Sequence, residues 1–320
     1  MIDLYQYTDG TLAMKYDYDV AIIGAGAAGL TAGIYCGRSG LSSVVFDSKT
    51  AGGLTLTSPE IENYPGFSTI TGPDLMAKIQ KHAEKWCTIK EIEPVKGLAV
   101  DKDGVSVTTS EKEYHVGAVI LCMGVDHEHL KVPGEKEFVG KGVSYCATCD
   151  GFFFKDKRTV QVGGGNSAAL EALYQKGLGV DVSIVHRRDR LKADDIYRKR
   201  IKEAKIPVLF NSIVKKIHGD AVVSSVTVED TLTGKTRDIP VEGVFIAVGM
   251  RPNNALAKKI GVDLMPEGNI RVNARMETNV RRVYAAGDIT GGVRQIVTAA
   301  AQGTVAALST LEVLGKTYPF

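Results

Sequence analysis

Asp19-Val-Ala-Ile-Ile-Gly24-Ala-Gly26-Ala-Ala-Gly29 is the stretch that decides the fold. Asp19 to Ile23 is a short run rich in β-branched residues, as a buried strand requires, and it ends at closely spaced glycines. Ala27 to Gly40 then reads as a helix, and Ser43-Val-Val-Phe46 as the next parallel strand, closing on Asp47. Strand, glycine loop, helix and strand make a βαβ unit. A bulky anionic pyrophosphate needs a turn without Cβ atoms and a helix start whose free N–H groups face the phosphates. Gly24, Gly26 and Gly29 meet that need, and a carboxylate at Asp47 is placed to accept hydrogen bonds from ribose hydroxyls. A glycine-rich helix start packed on a sheet is the plainer alternative.

The same grammar returns at Thr159-Val-Gln-Val162, Gly163-Gly164-Gly165, a helix from Asn166 to about Leu178, and the strand Asp181-Val-Ser-Ile-Val185. Where the first unit has Asp47, this one has His186-Arg187-Arg188. A carboxylate there would repel a 2'-phosphate, whereas guanidinium groups pair with it, so the second site should prefer a phosphorylated dinucleotide. A solvated basic strand end is the alternative.

Between the units, Leu98 to Thr109 and Glu113 to Val119 alternate apolar and polar residues, which suits antiparallel strands. Val119-Ile-Leu-Cys-Met-Gly124 and Val244-Phe-Ile-Ala-Val-Gly249 read as matched buried strands, each ending in glycine, where the chain passes between domains. The expectation is an α/β protein with two Rossmann-like nucleotide-binding domains, the second inserted in the first. Their limits are 1–126 with 256–320, and 127–255. Near the C-terminus, Tyr284-Ala-Ala-Gly287-Asp288 reads as a strand ending in a carboxylate able to hold a polyol, and Arg294 opens a small-residue helix. A glycine-aspartate turn capping that helix explains the same residues.

Composition narrows the rest. At 320 residues the chain exceeds the size of a single core. A net charge of +2, spread along the sequence, implies no nucleic-acid or anionic-membrane partner. No apolar run reaches the ~18 to 20 residues that span a bilayer. Met1 to Tyr18 lacks the basic and apolar regions of a leader, so a cytoplasmic protein is expected. Of five cysteines, Cys36, Cys87 and Cys122 read as reduced thiols in apolar or helical settings. Cys146-Ala-Thr-Cys149, followed by Asp150, is spaced for a redox pair with an adjacent proton carrier. Zinc is the rival reading. It wants four ligands, and only His127 and His129, in a polar connector where solvated histidines are the default, lie near enough in sequence. No metal is therefore expected.

Taken together these residues resemble the low-molecular-weight thioredoxin reductases, from Asp19 almost to the C-terminus. The match takes in Gly52-Gly53, Glu62-Asn63-Tyr64-Pro65-Gly66, Cys146 to Phe153, Gly163 to Ala168, His186 to Arg188, Gly287-Asp288 and Arg294-Gln295. A Cys-x-x-Cys inside the nicotinamide domain is specific to this group. The resemblance implies FAD on the first unit, near Gly24, Gly26, Ala27, Ala28, Gly29, Asp47, Ser48, Gly52, Gly53, Leu54, Asn63, Gly124, Gly287, Asp288, Arg294, Gln295 and Ile296. It implies NADPH on the second, near Gly163, Gly164, Gly165, Asn166, Ser167, Ala168, His186, Arg187, Arg188 and Lys192.

By the same resemblance Cys149 faces the flavin, Cys146 attacks the acceptor disulfide, and Asp150 is the acid. Phe152 and Phe153 match an aromatic loop that docks thioredoxin; core packing is their alternative. A thioredoxin-like protein as acceptor, a homodimer, and rotation that brings nicotinamide and cysteines to the flavin in turn are also implied. Two residues depart from the pattern: Lys192 stands where the family has arginine, and Leu54 where a glutamine follows the glycine pair. Lysine keeps the charge but loses the planar fork, which leaves NADH or a ferredoxin-like donor open. A reductase for another dithiol acceptor and a flavin-binding redox sensor are the remaining alternatives.

Overall fold

The computed structural model describes residues 5–8, 11–14, 16–58 and 60–317. They divide into two compact units, the first within Met1–Ser58, Tyr64–Asp126 and Arg251–Phe320, the second within Pro59–Asn63 and His127–Met250. The expectation that Met1 to Tyr18 carries no leader lies partly outside the described residues.

In the first unit the strand expected at Asp19 runs Tyr18–Ile23 and lies between Ser43–Phe46 and Glu113–Leu121, all parallel. Thr88–Lys90 extends one edge in parallel. On the other side the long strand Glu113–Leu121 has two partners. Its first half pairs antiparallel with Val105–Thr109, and its last residues pair parallel with Val283–Ala285. Val95–Val100 completes an antiparallel meander. The single strand expected over Leu98 to Thr109 is thus two strands. The reason is local: the Asp101 carboxylate accepts from Asp103 N and Gly104 N and closes a tight turn.

Both faces of this sheet are buried, and alternation sorts the side chains between them. Val20, Ile22, Val45 and Ile120 face one core with helix α1 (Ala27–Arg38), while Ala21, Ile23, Phe46 and Leu121 face the other with Tyr114 and Ile270. Helix α2 (Gly72–Ala83), not anticipated, opens on Thr71, whose hydroxyl accepts from Asp74 N.

Among the helices that follow, the C-terminal α7 (Ile296–Val313) packs on α1 at backbone distance: a Cβ at Gly303 would fall 2.1 Å from Ala28 O. With 18 residues and mean hydropathy 1.3, it is long and apolar enough by composition alone to cross a membrane. That corrects the expectation that no run reaches this length. Its threonines, serine and glutamine interrupt the apolar run, while its many alanines keep the average high.

The second unit holds a parallel five-stranded sheet in the order Val143–Ser144, Gly243–Ala247, Arg158–Gly163, Asp181–Val185, Val208–Leu209. Two cores again lie on its faces, one including Val160, Val162 and Val244, the other Val182, Ile184 and Ala172. An antiparallel sheet of Ser212–Gly219, Val223–Asp230 and Thr236–Pro240 was not foreseen. It supplies Ile217, Val226 and Val228 to the first of these cores.

Candidate functional site

In the first unit the glycine loop is fixed by close contacts. Gly24 has φ +108°, and a Cβ there would sit 2.3 Å from Cys122 O, so the chain can turn here only without a side chain. A Cβ at Gly29 would fall 1.8 Å from Gly24 O. Gly26 differs, because a Cβ there meets nothing within 4 Å. It is the N-cap of α1 and offers no side-chain cap, so the first N–H groups of the helix open onto free space. Gly53 stands beside it, where an added Cβ would lie 3.4 Å from the Gly26 Cα, and Gly52 N donates to Ala25 O at 2.8 Å.

Asp47 is more occupied than its strand-end position suggests. Its Oδ2 accepts from Ala25 N at 2.7 Å and its Oδ1 from Lys49 N at 2.8 Å. It therefore orders the loop as well as offering remaining lone pairs to a ribose. Ser48 and Leu54 are exposed beside these glycines in sequence.

The C-terminal motif reaches the same loop. The strand expected at Tyr284 runs Val283–Ala285; at Gly287 a Cβ would lie 2.9 Å from Ala28 Cβ, and Ala286 N donates to Leu121 O. Gly124 follows that strand end, and Asn253 N donates to its carbonyl. Asp288 has its acidity weakened chiefly by burial, against the opposing charge of Arg294. Arg294 itself has a buried Nε without a hydrogen-bond partner. Gln295 caps α7 in a reciprocal bond with Thr298, and Ile296 begins the helix, two residues later than expected. Asn63 is exposed and groups with the second unit.

An uncapped helix start, an open glycine and an orphaned buried guanidinium nitrogen suit a large anionic group, and the residues present fit a flavin dinucleotide.

The second loop repeats the pattern. Gly163 has φ +144° and packs against Ala247 O and Ala168, while Gly165, the uncapped N-cap of α4 (Asn166–Gly177), has nothing within 4 Å of an added Cβ. Asn166 and Asp194 clamp the neighbouring turn: Asn166 Nδ2 donates to Asp194 Oδ2, and Asp194 N donates to Asn166 Oδ1. Ser167 follows in the first turn of the helix. Arg187, Arg188 and Lys192 are exposed.

His186 has a different place from its two neighbours. Its ring is buried where a Gly164 Cβ would come within 2.2 Å, and it bonds Arg190 O at 3.0 Å. Burial lowers its pKa, so the neutral ring shapes the loop instead of adding charge.

Cys146 and Cys149 are joined as a disulfide in this same unit, with Cα atoms 5.3 Å apart. Cys146 precedes the short helix α3 (Ala147–Asp150), and Asp150 N donates back to Cys146 O. Ser144, at the end of its strand, donates to Asp150 Oδ2 at 2.5 Å and accepts from Cys146 N at 3.1 Å. Burial raises the Asp150 pKa against that hydrogen bond, and its Oδ1 is buried without a partner. A buried acid with one unmet oxygen beside a disulfide is equipped to keep a proton and hand it on.

On the other side Tyr145 donates to the buried Glu135 at 2.9 Å, stacks on His127 at 4.7 Å and meets His129 Nδ1 at 2.8 Å. Burial alone would raise the Glu135 pKa. Donors from Leu130 N, Tyr145, Lys131 N and His129 outweigh it and hold the carboxyl below the usual range. Both histidines touch the tyrosine ring, His127 half-buried and His129 exposed to solvent as expected. Among the described residues no group of three His, Cys, Asp or Glu is placed to hold a metal ion.

Sequence reasoning missed Ser144, Tyr145 and Glu135. Only their nearness to Cys146, two residues away at most for the first two, could have flagged them. Phe152 is 59% exposed beside the disulfide helix, and Phe153 is half-buried. Cys36 and Cys122 are buried and Cys87 half-buried; burial pushes the Cys87 thiol up to about 11.

The model of the family described as pyridine nucleotide-disulphide oxidoreductase matches residues 18–303. A thioredoxin reductase of Bacillus subtilis (strain 168) is 43% identical over 295 residues, covering 91% of this chain and 93% of that protein. One from Listeria innocua is 40% identical over 292 residues, covering 90% and 91%. Among solved structures, the thioredoxin reductase of Streptococcus pyogenes MGAS5005 superposes with a TM-score of 0.89 at 37% identity, covering 93% of this chain and 98% of that one.

Proposed function

Because the chain belongs to the pyridine nucleotide-disulphide oxidoreductases, and among them to the thioredoxin reductases, we propose that it passes electrons from NADPH through FAD to Cys146–Cys149 and on to a thioredoxin-like protein disulfide. The observation that carries this reading is the Cys146–Cys149 disulfide with the buried acid Asp150, in the unit that also holds the second glycine loop. In the family, flavin and pyridine nucleotide work as a pair.

The first unit's residues divide the work of holding FAD. Gly26 and the first N–H groups of α1 take the pyrophosphate, Asp47 the ribose, Asp288 the ribityl chain, and Arg294 with the start of α7 the anionic ring edge. Bound there, the flavin supplies two-electron reduction of the disulfide. On the second unit Gly165 and α4 take the NADPH pyrophosphate, and Arg187, Arg188 and Lys192 the 2'-phosphate.

Burial raises the Asp150 pKa, which favours the protonated acid that serves the sulfur chemistry beside it. Cys146 then opens the acceptor disulfide, with Phe152 offering an apolar contact to the docked partner. The protein acts in the cytoplasm as a homodimer.

Anaerobic titration of the purified flavoprotein with NADPH, NADH and a reduced dithiol, followed by its visible spectrum, tests the scheme. NADPH should bleach the flavin, and added oxidised thioredoxin should restore it. Bleaching by NADPH without recovery on adding thioredoxin would leave a redox sensor; bleaching by NADH alone would reassign the donor.

A further inference from the structure

The two sulfurs of the disulfide sit in unequal surroundings. Thr148 Oγ1 lies 3.4 Å from Cys146 Sγ, within the range of a hydrogen bond to sulfur. A disulfide sulfur carries no proton, so the hydroxyl is the donor and Cys146 the acceptor. Thr148 is exposed at the first turn of α3, with its backbone fixed by the turn that returns Cys149 N and Asp150 N to Cys146 O.

We infer that Thr148 is a catalytic residue, whose hydroxyl holds the Cys146 sulfur as a thiolate from the opening of the disulfide until that sulfur attacks the acceptor. The inference rests on the reductase reading and assigns the direction of opening. When two electrons and one proton enter the pair, the S–S bond breaks, Cys149 is left as a thiol and Cys146 as a thiolate. The disulfide is reduced, and a reduced flavin, or a small dithiol in its place, is oxidised.

The sulfur that accepts the hydroxyl hydrogen bond is the better leaving group, since a hydrogen bond to the charged form lowers its pKa. Cys146 Sγ then forms a bond to one sulfur of the acceptor disulfide, whose other sulfur departs as thiolate and takes up a proton. Attack by Cys149 on the mixed disulfide, with loss of its proton, releases the reduced acceptor and restores Cys146–Cys149. Asp150 has Ser144 as its partner on one oxygen, so the proton and the thiolate are served by different residues.

The test follows the Cys146 thiolate itself. In the purified flavoprotein carrying Cys149→Ser, the rate of Cys146 alkylation by iodoacetamide is measured against pH by mass spectrometry of its peptide. The added change Thr148→Val should move the midpoint up by about one pH unit, a roughly tenfold loss of thiolate at neutral pH. Thr148→Ser should restore the midpoint to that of the parent. In the otherwise unaltered enzyme, Thr148→Val should lower kcat/KM for thioredoxin several-fold and leave flavin reduction by NADPH unchanged.

An unmoved midpoint with Thr148→Val, in an enzyme that turns over thioredoxin normally, overturns the role of Thr148. A midpoint that moves in an enzyme unable to reduce thioredoxin supports the hydrogen bond and sinks the reductase reading instead.

Discussion

Ser144 donates its hydroxyl to Asp150 Oδ2 at 2.5 Å, while the other oxygen of Asp150 is buried without a partner. An acid built only for stability would have both oxygens met, because an unsatisfied buried acceptor costs about 1 to 3 kcal/mol. Asp150→Asn should therefore fold normally and lose about a hundredfold or more in turnover with a protein disulfide. Ser144→Ala should act differently. The Ser144 bond opposes the rise that burial imposes on Asp150, so its loss lets the pKa climb further and the basic limb of the rate profile should move to higher pH. A limb that stays in place in Ser144→Ala would show that Asp150 is not the group being titrated.

The glycines of the two loops should separate by experiment into those that build the fold and those that leave room. Gly29→Ala places a Cβ 1.8 Å from a carbonyl oxygen, and little folded protein is expected. Gly26→Ala and Gly165→Ala put theirs into open space from ordinary negative-φ backbone, so melting temperatures should change little. The first should be isolated without flavin. The second should keep flavin and show a KM for NADPH raised tenfold or more. Full flavin content in Gly26→Ala would remove the first loop from the cofactor site.

Arg187 and Arg188 are exposed where His186 is not, which makes the pair and Lys192 the contacts available to a 2'-phosphate. Replacing both arginines by alanine should raise KM for NADPH about ten- to a hundredfold, the range of charge-assisted hydrogen bonds, and leave KM for NADH nearly unchanged. Lys192→Arg should lower KM for NADPH, because the planar fork meets a phosphate with two bonds. Equal changes for both nucleotides would place the 2'-phosphate elsewhere.

How far the site was legible depended on whether its cause was local. The strands at Ser43–Phe46 and Asp181–Val185 stand where the strand, glycine loop, helix and strand order puts them, because each pairs within its own βαβ unit. The glycine loops were readable for the same reason, since a helix start without Cβ atoms follows from adjacent residues. The antiparallel sheet from Ser212 to Pro240 gave no comparable signal: several of its side chains are half-buried, and its two register shifts blur the alternation. His186 looked like part of a basic cluster, and only tertiary packing against Gly164 shows it to be a buried wedge. Glu135 lies among charged neighbours in sequence, and nothing local reveals that Tyr145 and two backbone N–H groups converge on it.

Glu171 is a half-buried acid in the second unit and belongs to no step of the proposed chemistry. Thr159, Gln175, Gln161 and Glu171 form a chain of side-chain bonds beneath α4, ending in Gln161 Nε2 to Glu171 Oε2 at 3.1 Å. Burial pushes the Glu171 carboxyl up from 4.5 to about 7, against the donor from Gln161. Between those values the folded chain keeps a proton that the unfolded chain has released. Its contribution is therefore most favourable below about pH 4.5, weakens as pH rises, and becomes a full penalty of about 3 kcal/mol above pH 7. Glu171→Gln keeps the acceptor for Gln161 and removes the titration. The variant should gain in urea midpoint over the parent at pH 8 and lose most of that advantage at pH 5. An advantage of equal size at both values would mean that Glu171 is charged in the folded protein throughout, with its chain of amide partners holding an anion.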